Sequence, residues 1–151
     1  MIKDPWRFRP PHYLLLALLS MVGLRYLFPY PLPVPSPFHL LAVPLLIAGL
    51  VLIVAPAWEF HRRETALDPF GEASVLVTDG WFRYSRNPIY TGMVLVLLAA
   101  ALGLHAWAPL IVVPIFVAII RTRFIRMEER FLSQKFGETY RQYCSQVRRW
   151  I

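Results

Sequence analysis

Long apolar runs alternate with segments that hold almost every charge in this chain of 151 residues. The runs cover residues 12–28, 38–58, 88–104 and 107–120. Wound as helix, about 17 to 21 apolar residues span roughly 30 Å of hydrocarbon. The second run is the cleanest, the first carries Arg25 near its far end, and the last two form a tight pair broken around His105, Ala106 and Pro109. This pattern predicts an all-α fold, a polytopic membrane helix bundle of about four transmembrane helices. A single membrane-embedded domain, 1–151, would carry a further helix in its C-terminal part.

Punctuation between the runs is informative. Prolines alternate from Pro29 to Pro37, which predicts a stiff extended link. Asn87-Pro88 predicts an N-cap with proline at the first helical position. Ala99 and Gly103 are spaced to let a neighbouring helix approach. Residues 59–87 form a long connection with an apolar run at Val75-Leu76-Val77, a turn at Asp79-Gly80, and Trp81, Phe82 and Tyr84 close behind. The last apolar run is expected to continue as helix into segment 121–151. Gly137 should break it, leaving an amphipathic piece from Thr139 to Trp150.

Composition supports the membrane class: 57% of the residues are hydrophobic. The charge pattern then orients the chain. Fifteen of the sixteen Lys and Arg residues lie in the N-terminal flank, in 59–87 or after Ile120, and Arg25 is the exception. The positive-inside tendency places both termini and the middle segment in the cytoplasm, in a cell inner or plasma membrane. The net charge of +7 therefore needs no nucleic-acid partner. Cys144 is the single cysteine, which excludes an internal disulfide framework and a cysteine metal site within one chain. No metal is expected.

Candidate chemistry gathers where the third run begins and where the fourth ends. Asn87 would open a helix whose first amides form a ready anion site. Arg83 and Arg86 add positive charge, Trp81, Phe82, Tyr84 and Tyr90 add flat surfaces, and Glu128 and Glu129 add negative charge from another helix. A ligand with an anionic group, a cationic group and a flat ring suits that set, and S-adenosylmethionine has all three. The alternative is a set of interface anchors and solvated ion pairs.

The ordered series Leu76-Val77-Thr78-Asp79-Gly80, Arg86-Asn87-Pro88-Ile89-Tyr90-Thr91-Gly92, Glu128-Glu129, Phe136-Gly137, Tyr140, Tyr143, Val147 and Arg149 resembles the isoprenylcysteine carboxyl methyltransferase and phospholipid methyltransferase family of membrane enzymes. The resemblance runs from about Leu76 to the C-terminus. It implies methyl transfer from S-adenosylmethionine to a lipophilic or membrane-associated acceptor, a carboxylate, amine or thiol, entering from the bilayer. Cofactor contacts are implied for Leu76, Val77, Gly80, Phe82, Arg86, Asn87, Pro88, Tyr90 and Glu128. Asn87 replaces a common histidine, and Phe124 stands where the isoprenylcysteine enzymes place an arginine. Arg121 and Arg126 are the substitutes expected to orient an acceptor, and Glu129 the expected base. An NADPH-dependent sterol-type reductase is the runner-up, suggested by Lys135-Phe136-Gly137 and Tyr143-Cys144; a non-catalytic protein with this fold is the third reading.

Overall fold

The computed structural model describes residues 9–31, 35–62 and 75–151. All regular elements among them are helical, apart from an isolated bridge between Pro31 and Ala106. The main helices are α1 (Pro10–Leu27), α2 (Ala42–Arg62), α3 (Pro88–Gly103), α4 (Val112–Ile120) and α5 (Arg126–Gln146). Short 3-10 turns occupy Ser36–Leu41, Gly80–Arg83 and Ala108–Ile111. A π-helical stretch, Arg121–Ile125, joins α4 to α5 without a break.

Helix starts follow local chemistry. Pro10 and Pro88 stand at first-turn positions, where a missing N–H costs nothing. Pro56 lies buried inside α2 and removes one bond from its ladder. Gly137 leaves the helical region at φ 52°, ψ −119° and kinks α5, as its sequence position suggested. Glycine tolerates that positive φ without strain.

The most extensive helix pairing is α2 against α3, and two glycines make it close. A Cβ on Gly92 would sit 2.6 Å from the Gly49 carbonyl oxygen, and one on Gly49 would sit 2.8 Å from that of Gly92. The expected contact through Gly103 is not formed: a Cβ there meets nothing within 4 Å. Its position at the last turn of α3 carries it past the crossing. On the far side α1 packs against α3 and α4, and the Tyr13 and Phe124 rings meet edge-on at 5.4 Å. Met21, Leu97, Ile120 and Ile125 are sealed from solvent at the centre.

Apolar side chains also cover the outside. Leu15, Leu16 and Leu19 of α1 and Val43, Ile47, Leu50 and Val54 of α2 are exposed. Water would penalise such a continuous apolar surface at about 25 cal/mol per Å². Among the described residues, 37–62 and the continuous helix from Ala108 are long and apolar enough to cross a membrane. Helix α3, with 16 residues, reaches only about 24 Å.

Several sequence expectations change in detail. The second apolar run extends to Arg62, so Glu59 and Phe60 are helical and not part of the following connection. The proline-rich link ends in a 3-10 turn from Ser36, because alternate prolines bias φ but do not prevent one tight turn. Residues 1–8, 32–34 and 63–74 lie outside the described residues, and with them most of the N-terminal arm and the middle of segment 59–87.

Candidate functional site

At one end of the bundle, three separate stretches of chain meet: 75–91, the start of α5, and residues 140–149. The first is shaped by a turn. Gly80 takes φ 57°, a conformation that favours glycine, and a Cβ there would lie 2.7 Å from Glu59 Oε2 at the end of α2. The turn is closed by the Phe82 N–H donating to the Asp79 carbonyl at 3.1 Å. Phe82 and Val77 are then buried against Tyr140, Tyr143 and Val147. The Tyr143 hydroxyl donates to the Phe82 carbonyl at 2.6 Å, and Phe60 packs edge-on against Phe82 at 5.1 Å. Burial pushes both tyrosine hydroxyls well above their ordinary range; nearby Cys144 adds to the effect at each, and Arg86 opposes it.

Residues 85–87 run beside the end of the chain. The Arg86 N–H donates to the Arg148 carbonyl at 3.0 Å, and the Asn87 carboxamide Nδ2 donates to the Arg149 carbonyl at 3.0 Å. Asn87 thus occupies the N-cap position without capping through its side chain, contrary to the sequence expectation. Its carboxamide instead serves the returning residues 148–149, whose carbonyls accept from Arg86 and Asn87. The Asn87 N–H is taken by Ser85 Oγ at 3.1 Å.

Charged groups converge just beyond. Tyr90 on α3 donates its hydroxyl to Glu128 Oε1 on α5 at 2.5 Å. Arg149 grips Glu129 with two bonds, Nε to Oε1 at 2.9 Å and an outer nitrogen to Oε2 at 2.8 Å. That clamp raises the Arg149 guanidinium above its ordinary value, chiefly through the hydrogen bond to Glu129. Arg86 approaches Glu129 at 3.3 Å and donates to Cys144 Sγ at 2.7 Å. Its Nε is buried with no acceptor. Such an orphaned donor is unusual and calls for a physical account.

The structure therefore gathers Arg86, Asn87, Tyr90, Glu128 and Glu129 at one end of the bundle, with Pro88 buried at the head of α3 and Leu76 half-buried beside Val77 and Phe82. Gly80 lies on a shallow surface depression of about 320 Å³ with Glu59, Trp81, Arg83 and Tyr84. Arg121 and Arg126 are exposed. The π-helical stretch explains why the expected shared face of Arg121 and Glu128 is lost: one wider turn shifts the helix phase by roughly one residue, about 100°. Arg126 lines an open depression of about 390 Å³ with Glu129, Arg130, Ser133 and Gln134.

Cys144, Ser85 and the clamp by Arg149 are absent from the sequence-derived site. Tyr140, Tyr143 and Val147 were detectable as a group, since their spacing of three and four places them on one helix face. No spacing rule links Arg149 to Glu129.

Comparison with known proteins bears directly on this arrangement. Residues 37–139 match the phospholipid methyltransferase family, which takes in α2, α3, α4 and most of α5. The chain belongs to that family. Membership implies methyltransferase activity in general and association with a membrane, in keeping with the apolar helices. An uncharacterized protein of Haemophilus influenzae is 41% identical over 66 residues, which is 42% of this chain and all of that protein. No solved structure matches the chain.

Proposed function

We propose that the protein is an S-adenosylmethionine-dependent methyltransferase acting on a lipophilic acceptor, with the cofactor held where α3 begins and α5 begins. The observation that carries this reading is the Tyr90–Glu128 bond, which joins the two family-matched helices beside the Arg86–Glu129–Arg149 cluster. The donor set fits the group: the unpaired, buried Arg86 Nε suits a ligand carboxylate, and the Glu128 carboxylate suits an ammonium or a ribose diol. When bound, S-adenosylmethionine supplies a methyl group on a sulfonium for in-line displacement.

The protein's own work in that reaction is alignment and exclusion of water, worth several kcal/mol of a barrier. Tyr90 fixes the orientation of Glu128. Asn87 ties the head of α3 to residue 149, and Glu129 holds Arg149 and Arg86 in place. Both Glu129 oxygens already accept from guanidinium groups, so its role in this reading is to anchor and not to take a proton. Four membrane crossings, with both termini on the cytoplasmic side, complete the proposal. The charge-free outer connections support it, joined as they are by the Trp107 N–H donating to the Tyr30 carbonyl at 3.3 Å.

The test is transfer of a labelled methyl group from S-adenosylmethionine into a total lipid extract by the detergent-solubilised protein. Label in the organic phase that disappears in Glu128→Gln supports the assignment. Label at equal rates in both proteins would place the chemistry elsewhere.

A further inference from the structure

Several charges on the described part of the chain are paired, others such as Arg9, Arg62, Arg83, Lys135 and Arg148 are exposed at scattered places, and four arginines are exposed as a group. Arg86 and Arg149 share Glu129, Glu128 takes the Tyr90 hydroxyl, and Glu138 pairs with Arg141 at 3.3 Å. Arg121, Arg123, Arg126 and Arg130 are exposed, and no salt bridge to them is formed among the described residues. All four fall within ten residues, immediately after the apolar α4. Such a placement is not explained by the clustered site, because the π-helical stretch turns Arg121 away from Glu128 and Arg126 opens onto the surface.

Distances along the helix place these arginines in a lipid headgroup layer and just past it. The polar zone on each side of the hydrocarbon is roughly 5–8 Å deep. Arg121 and Arg123 enter it directly after Ile120, whereas the backbones of Arg126, about 9 Å along the axis, and Arg130, about 15 Å, lie beyond it and meet it only through their side chains. Long arginine side chains reach back several ångströms toward the membrane. Arg126 and Arg130, one helical turn apart, line the 390 Å³ depression together with Ser133, Gln134 and Glu129, whose carboxylate oxygens are both taken by Arg149. Two guanidinium groups spaced in that way match a phosphate better than they match water.

We propose that this arginine face of α4 and α5 docks on anionic phospholipid headgroups, with one phosphate seated between Arg126 and Arg130. The proposal rests on the reading of α4 as a membrane-embedded helix. It reassigns Arg121 and Arg126 from orienting an acceptor to holding the protein against negatively charged lipid. Each arginine near such a surface is worth roughly fivefold in affinity, so the pair at the depression should confer roughly 25-fold.

The experiment purifies the full chain in detergent with equimolar phosphatidylglycerol and phosphatidylcholine, then quantifies the retained lipid by mass spectrometry. The wild type is expected to retain the anionic lipid at least about fivefold over the zwitterionic one. Arg126→Gln with Arg130→Gln should lower the ratio severalfold, the remainder being held by Arg121 and Arg123, while Arg126→Lys with Arg130→Lys keeps most of it. Arg141→Gln, on the paired arginine, should leave it unchanged. A wild-type ratio near one overturns the proposal, as does a ratio that the glutamine pair does not lower. Equal behaviour of the lysine and glutamine pairs would remove charge as the cause and overturn it too. Total retained lipid tests the membrane reading separately, since that quantity does not depend on headgroup selectivity.

Discussion

Replacing Gly92 with alanine is expected to destabilise the protein, although alanine is the better helix former. The added Cβ would stand 2.6 Å from the Gly49 carbonyl oxygen, 2.9 Å from Ile53 Cγ1 and 3.0 Å from the Ile53 nitrogen. Two of those neighbours are backbone, so no rotamer change relieves the overlap and α2 must move away from α3. Overpacking of that kind costs about 1–3 kcal/mol, against a propensity gain of at most about 1 kcal/mol. At roughly 2–4 °C per kcal/mol for a chain of this size, the midpoint should fall by several degrees. Gly23 supplies the control: it lies inside α1, and a Cβ added there would meet nothing within 4 Å, so Gly23→Ala should be neutral or slightly stabilising. Thermal unfolding in detergent, followed by the reaction of half-buried Cys144 with a thiol-reactive dye, reads both variants. A Gly92→Ala midpoint equal to or above wild type would show that this glycine is not there for helix contact.

Other outcomes follow from the same geometry. Tyr90→Phe removes the hydroxyl that orients Glu128 and should weaken S-adenosylhomocysteine binding about 5- to 10-fold, with unfolding little changed; unchanged affinity in calorimetry would separate the pair from the ligand. Arg149→Gln leaves Glu129 with Arg86 alone. With about a third of the arginine exposed, the loss should be near 1 kcal/mol, read as a lower midpoint that falls further behind wild type in low salt. For Tyr140 and Tyr143 the folded state holds the proton more tightly than the unfolded chain does. Their contribution is complete below about pH 10, the ordinary tyrosine value, and drains away as pH rises above it. Absorbance near 295 nm should therefore show these two ionising only as the protein unfolds, and Tyr143→Phe should lessen the alkaline loss while costing the bond to the Phe82 carbonyl.

Much of this architecture was legible in the chain, for physical reasons that differ by element. Long apolar runs mark helices because a helix satisfies its own backbone in an apolar setting, and all four runs are helical, two of the described helices being long and apolar enough to cross a membrane. Gly137 was identifiable as a break because it is the residue that tolerates the kink's positive φ. Gly92 was not separable from the functional motif around it, since a packing glycine and a site glycine look alike in one dimension. Asn87 shows the same limit: its position predicts a cap, yet its carboxamide serves residue 149, which lies 62 positions away. The π-helical stretch also left no trace in the pattern of residues, and it alone changes where Arg121 faces. Side-chain pairs such as Tyr90–Glu128 depend on how α3 and α5 are set against each other, which spacing along a single helix does not encode.

Whether the bundle end holds S-adenosylmethionine is decided by calorimetric titration of the purified, solubilised protein with S-adenosylmethionine, S-adenosylhomocysteine and NADPH in parallel. Saturable binding of both adenosyl compounds and none of NADPH is expected. Binding of NADPH alone, or of none of the three, would contradict the proposed cofactor site.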